Sequence, residues 1–184
     1  MKPTSALWLD EAGNALGVGE IGTVYMSMPG ADFEYHKDPD KTAANRVGKY
    51  FTVGDLGYLD GEGYLFLCDR KIDMIIWGGT NIYPAEIEGE LVSHPKVMDA
   101  AVFGIPDEEW GEVIKAVVEP VDDVEPAPGP ELEAELLAYL SGRVAKFKVP
   151  SSIDFVAELP RDPNGKLLKR RLRDPFWEGH ERAI

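Results

Sequence analysis

Apolar residues fall along this chain in two rhythms, and the change from one to the other divides it. In the first part the rhythm is short. "EIGTVYMSM" (residues 20–28) is rich in β-formers and follows the turn-prone "DEAGNALGVG", which predicts a strand after a hairpin turn. "DLGYLDGEGYLFLCDR" (55–70) sets two apolar runs around Asp60, Gly61, Glu62 and Gly63, a hairpin signal. Between them "GADFEYHKDPDKTAANRVGK" is polar and irregular, which predicts a surface loop with a short helix.

After Arg70 the period lengthens. Pro84 opens "PAEIEGELVSH", where Ile87 and Leu91 share one helical face and acidic residues occupy the first turn. "VMDAAVFGI" and "EVIKAVVEPV" predict strands on either side of "PDEEWG", and "DDVEPAPGP" predicts a connector. In "ELEAELLAYLSGRVAKF" (131–147) Leu132, Leu136, Leu140 and Val144 recur every fourth position, predicting an amphipathic helix over the whole stretch. "SIDFVAEL" (152–159) alternates as a strand, and "KLLKRRLR" (166–173) predicts a short basic helix. The order is β-β, then α-β-β-α-β-α. That order predicts an α+β fold with a boundary near residues 70–73, a β-rich first part (1–70) and a mixed or antiparallel sheet flanked by helices in the second (71–184).

Composition narrows the class. With 184 residues, 44% hydrophobic and 28% charged, the chain is globular. No apolar run approaches the ~20 residues of a membrane span. The start, "MKPTSALWLDEAG", lacks the apolar core of a signal peptide. The one cysteine, Cys68, has no internal disulfide partner, so a cytoplasmic setting is expected, with Cys68 as a small buried residue. An excess of 33 acidic over 19 basic residues argues against nucleic acid or an anionic membrane as partner. His36, His94 and His180 are scattered without metal-ligand spacing and are expected at the surface, so no metal site is expected within the chain.

The charge is uneven. The last segment carries Arg161, Lys166, Lys169, Arg170, Arg171, Arg173 and Arg182 against Asp162, Asp174, Glu178 and Glu181. Within it, "PRDPNGK" puts Lys166 directly after Asn164-Gly165, a dipeptide that favours a tight turn with positive φ. An ammonium on a turn in an otherwise acidic chain suits a small anion.

Four stretches in this order, "YFTVGDLGYLDGEGYLFLCDRKIDMI", "WGGTNIYPAEIE", "FGIPDEEWGE" and "PRDPNGK", carry a family likeness. The chain resembles the C-terminal part of an adenylate-forming enzyme of the superfamily of acyl-CoA synthetases, adenylation domains and luciferases. Within it, the chain is most similar to fatty-acyl- and aryl-acid-CoA ligases. The resemblance implies an AMP-binding, ATP-dependent ligase of the kind found in fatty acid metabolism. A carboxylate attacks the α-phosphorus of ATP to give acyl-adenylate and diphosphate. The thiol of coenzyme A then attacks the acyl group and releases AMP.

By the same resemblance, Lys166 is the catalytic lysine that bridges the α-phosphate and the substrate carboxylate. Asp55 and Arg70 contact the ribose, and the smaller reading for each is a turn cap and a hairpin-end ion pair. Residues 69–73 form the hinge, with Ile72 where relatives usually carry Asp or Lys. Gly78 and Gly79 line the pantetheine path, or serve as a plain turn. Trp110 stacks on the adenine of coenzyme A, or belongs to the core. Lys146 and Lys148 face its phosphates, although Val149 and Ser151 stand where some relatives are basic. Glu86 in "YPAEIE" has a structural role at a helix start.

The family's phosphate loop and acyl pocket are absent from this sequence, and "GNALGVGEIG" reads as a hairpin turn. The expectation is a C-terminal lid domain preceded by a remnant of the large domain, inactive alone. Its partners are then the missing N-terminal domain, which also holds most of the magnesium contacts, and a small carboxylic acid, ATP and coenzyme A. Two alternatives stay open: an adenylation domain serving a carrier protein or a luciferase-like enzyme, and a non-catalytic folded remnant. Exposed strand edges leave domain-swapped pairing open as well.

Overall fold

The computed structural model describes residues 6–27, 30 and 33–180. The chain divides into two compact units, Met1–Ile72 and Asp73–Ile184.

The first unit is an antiparallel sheet. Its strands are β1 (Ala6–Leu9), β2 (Gly22–Met26), β3 (Arg46–Val47), β4 (Tyr50–Phe51), β5 (Asp55–Leu59) and β6 (Leu65–Arg70), in the order β3-β4-β2-β5-β6 with β1 beside β2. The strand expected over 20–28 is β2, and Met28 lies outside the described residues. The expected hairpin is β5–β6. Its turn is closed by the Asp60 carboxylate, which accepts from the Glu62 and Tyr64 amides at 2.9 and 2.8 Å. The short helix of the polar loop is α1 (Pro39–Ala44), capped by the Asp38 side chain accepting from the Lys41 amide.

The second unit wraps a five-stranded sheet. Strands β7 (Ile75–Trp77) and β8 (Thr80–Ile82) form a small hairpin and lead into α2 (Pro84–Val92). A long hairpin follows, β9 (Val97–Asp107) against β10 (Gly111–Pro120). Then come α3 (Pro130–Ser141), β11 (Ser152–Phe155), parallel to β10, and α4 (Lys169–Arg173). An antiparallel sheet in one unit and a mixed sheet in the other, with few helices, make this an α+β fold.

Both faces of this sheet are covered, which is why its two long strands read as nearly continuous apolar runs. Ala100, Val102, Ile114, Ala116 and Val118 face one core with Ile87 and Leu91 of α2 and Leu132, Leu136 and Leu140 of α3. The alternate residues Ala101, Phe103 and Val117 face a second core with Leu159, Leu167 and Leu172 from the last segment. Each fully buried leucine or isoleucine adds about 1.5–3 kcal/mol of hydrophobic stabilisation. The C-terminal segment is therefore a structural layer of the sheet.

Three boundaries differ from expectation. Helix α3 stops at Ser141, and the Arg143 and Val144 amides both donate back to the Leu140 carbonyl, which tightens the last turn. Val144 stays buried, so its place in the apolar period reflected packing after the helix. Strand β11 ends at Phe155, near where β10 reaches Pro120. The basic helix begins at Lys169 rather than Lys166, because Leu167 pairs instead with Arg161 as an antiparallel bridge.

Candidate functional site

Asp55 and Arg70 are cross-strand partners in the first unit, at the open end of β5–β6. Gly54 takes φ +86° and its carbonyl accepts from the Lys71 amide at 2.7 Å, which closes the hairpin end. The Arg70 guanidinium stands 3.7 Å from the Asp55 carboxylate. Asp55 remains partly open to solvent and Arg70 exposed, so both expected ribose contacts share one accessible edge.

Lys166 sits on a compact turn in the second unit. Gly165 takes φ +85° there. The Asp162 carboxylate accepts from the Asn164 amide at 2.8 Å and the Lys166 amide at 3.0 Å, while the Asp162 amide donates to the Lys166 carbonyl at 2.9 Å. Such an aspartate-centred turn competes with helix, which is why α4 starts late. The same amides, Lys166 first and Asn164 next, hold the Asp162 carboxyl below the usual range. The Lys166 side chain is exposed, and its ammonium forms no ion pair among the described residues.

Gly78 (φ +52°) and Gly79 (φ +82°) form the tip of β7–β8. The Gly78 amide donates to the Trp110 carbonyl at 2.9 Å, which docks this tip on the β9–β10 turn. Trp110 is not core: it is 39% exposed and stacks on Trp77 at 4.4 Å with 9° between ring planes. Phe147 continues the stack on Trp77 at 5.9 Å. Gly79 and Trp110 line a cleft of about 680 Å³ together with Asp107, Glu108, Glu112 and Trp177. Its acidic lining is unsuited to a phosphate.

Lys146 and Lys148 lie on a 3-10 turn outside that lining. Lys146 is exposed, whereas the Lys148 ammonium is paired with Glu86 at 2.6 Å. Ile72 is exposed, on a 3-10 turn at the junction of the two units.

Two residues depart from expectation. Cys68 is half-exposed on β6, because the outward positions of this edge strand are open. Partial burial, with Asp69 beside it, pushes its thiol pKa up. His94 is buried, with its ring edge-on to Tyr139 at 4.6 Å and its Nδ1 accepting from the Lys96 amide. Burial pushes its pKa down, against the opposing pull of Glu135.

Sequence reasoning missed Asp162 as the organiser of the lysine turn, and Trp77 as the platform under Trp110. An Asp two residues before Asn-Gly was the available signal for the first. Nothing in the apolar pattern announced the second. Among the described residues, no group of three His, Cys, Asp or Glu side chains could hold a metal ion. No helix among them is long and apolar enough to cross a membrane.

Residues 86–166 match the family described as AMP-binding enzyme C-terminal domain. The fatty acid–[acyl-carrier-protein] ligase ScoC of Streptomyces coeruleorubidus is 41% identical over 96% of this chain, which covers 33% of that protein. The ATP-bound crystal structure of MatB from Rhodopseudomonas palustris superposes with a TM-score of 0.85 at 36% identity, over 96% of this chain and 35% of that one. The o-succinylbenzoate CoA synthetase MenE from Bacillus subtilis, in complex with its acyl-adenylate intermediate, gives 0.81 at 35% identity, over 93% and 34%. The chain thus spans about a third of the relatives it matches, among which are acyl-CoA and acyl-carrier-protein ligases.

Proposed function

We propose that this chain, with an AMP-binding enzyme C-terminal domain at residues 86–166, works as the C-terminal third of an ATP-dependent acid–thiol ligase. In the first step a substrate carboxylate oxygen attacks the α-phosphorus of ATP, and diphosphate leaves. Negative charge grows on the phosphoryl oxygens, and the Lys166 ammonium is placed to neutralise it. The two oxygens of Asp55 accept from the ribose hydroxyls, with Arg70 beside it as the second ribose contact. In the second step a thiol sulfur attacks the acyl carbon and AMP leaves.

The residues around 69–73 serve as the pivot that exchanges one constellation for the other, Ile72 absorbing the backbone change. The division of the chain between Ile72 and Asp73 supports this. Gly78, Gly79 and Trp110 then border the path of the neutral pantetheine arm of coenzyme A, while Lys146 is the cation available to its phosphates. Lys148 must first leave Glu86 to join it. Magnesium carried by ATP, the phosphate loop and the acyl pocket are assigned to residues outside this chain, in the N-terminal part that is its partner. We place the enzyme in the cytoplasm.

The observation that carries this reading is the Lys166 turn, which presents an exposed ammonium on a loop whose amides from Asp162 to Lys166 are all hydrogen-bonded. In the complete ligase bearing this chain, acid-dependent ATP–pyrophosphate exchange should fall by about 10²–10³ in Lys166→Ala. Undiminished exchange overturns the reading. The isolated chain should show no exchange. The name of the ScoC relative makes a carrier-protein thiol the second acceptor to assay beside coenzyme A.

A further inference from the structure

A single peptide plane, Gly165 to Lys166, is gripped from both sides. On one side its N–H, that of Lys166, donates to the Asp162 carboxylate at 3.0 Å. On the other its C=O, that of Gly165, accepts from Nη1 of Arg161 at 2.6 Å. The second arm of the same guanidinium, Nη2, donates to the Asp99 carboxylate on β9. Asp99 is itself fixed, since its other oxygen accepts from the Ala100 amide at 2.8 Å. Residues on either side of the turn are pinned too: the Leu159 amide donates to Glu119 and the Leu168 amide to the Pro160 carbonyl. The plane that sets the direction of the Lys166 side chain is therefore referenced to the central hairpin of the sheet.

We propose that Arg161, anchored on Asp99, is a positioning residue that aims the Lys166 ammonium by fixing the Gly165–Lys166 peptide. The proposal rests on the ligase reading. Three physical points support it. The pair is exposed, 40% and 26% at the two side chains, so it adds little to stability and its value is orientation. The guanidinium fork reaches its two acceptors from two nitrogens held in one rigid plane, a fixed geometry that the single nitrogen of a lysine does not reproduce. A lysine stem is long, so a small rotation of this plane moves its nitrogen far, and displacements of the order of 1 Å cost about 10²-fold in rate.

The test uses the complete ligase and separates its half-reactions. Arg161→Ala should lower kcat for acyl-adenylate formation by about 10- to 100-fold. KM for ATP and the thermal midpoint should change little. Thioester formation from supplied acyl-adenylate should be spared, because that step does not use Lys166. In a Lys166→Ala background Arg161→Ala should cause no further loss, and Asp99→Ala should behave like Arg161→Ala. Arg161→Lys should recover only part of the rate.

Equal losses in both half-reactions, full additivity with Lys166→Ala, or unchanged adenylation in Arg161→Ala would each overturn the proposal. The two readings fail separately. If Lys166→Ala leaves adenylation intact, the ligase role of that lysine falls and the positioning role with it. If Lys166→Ala abolishes adenylation while Arg161→Ala does not affect it, only the positioning role falls.

Discussion

At the scale of single residues, charge placement follows whether water can reach the group. Lys166 and Arg70 stay exposed, and each draws its geometry from a neighbouring carboxylate, Asp162 or Asp55. His94 is the contrary case. Its ring is enclosed between α2 and α3 beside Tyr139, with Glu135, Lys96 and Arg143 around it. Burial disfavours the imidazolium, so the folded pKa lies below the ordinary 6.5. The unfolded chain then binds more protons than the folded one between these two values, and stability rises with pH across that window. The contribution is fully present above the unfolded pKa and is lost as pH falls through 6.5 toward the depressed value. Urea midpoints should therefore drop more between about pH 7.5 and 5 in the unmodified chain than in His94→Gln. Equal slopes would contradict this. Sequence alone put His94 at the surface, since no local pattern marks a ring captured by a residue far along the chain.

At the scale of elements, the β7–β8 hairpin makes the sharpest demand on sequence. Gly78 and Gly79 both hold positive φ, but only Gly78 also touches the Trp110 ring, where a Cβ would come within 3.0 Å. Gly79→Ala should cost about 1–2 kcal/mol from the left-handed backbone alone. Gly78→Ala should cost more, because the ring must shift and the stack on Trp77 must open. Thermal unfolding of the two variants checks the ranking, and a tryptophan fluorescence change confined to Gly78→Ala would report the opened stack. Elements with a strong period of their own were legible: α2 and the β5–β6 and β9–β10 hairpins lie close to where the apolar spacing put them. The β8 strand was not, since three residues in so short a stretch between Gly79 and Pro84 carry no period. The end of α3 was misread because Val144 continued the apolar face after the backbone had left the helix. In the candidate site, Lys166 and its Asn-Gly turn were visible in sequence. The Arg161–Asp99 anchor was not, because it joins residues from distant stretches.

At the scale of the whole molecule, the two units differ in what they can bury. Among the described residues the first holds Leu9, Val24, Phe51 and Leu56 as its buried apolar side chains. The second contains both packed cores, formed without any residue from the first. Residues 73–184 should therefore fold alone with one cooperative thermal transition, whereas residues 1–72 should not. Circular dichroism melts of the two pieces decide this, and a non-cooperative melt of 73–184 would count against it. The half-exposed edge strand of the first unit has a practical use besides. Cys68 is the sole cysteine of the sequence, so its thiol is a unique chemical address. A maleimide dye attached there at near-neutral pH, where lysine amines are protonated and unreactive, would mark that unit alone, though slowly because burial raises the thiol pKa. Paired with a second fluorophore beyond Asp73, it would convert any swing between the halves into a change in energy transfer.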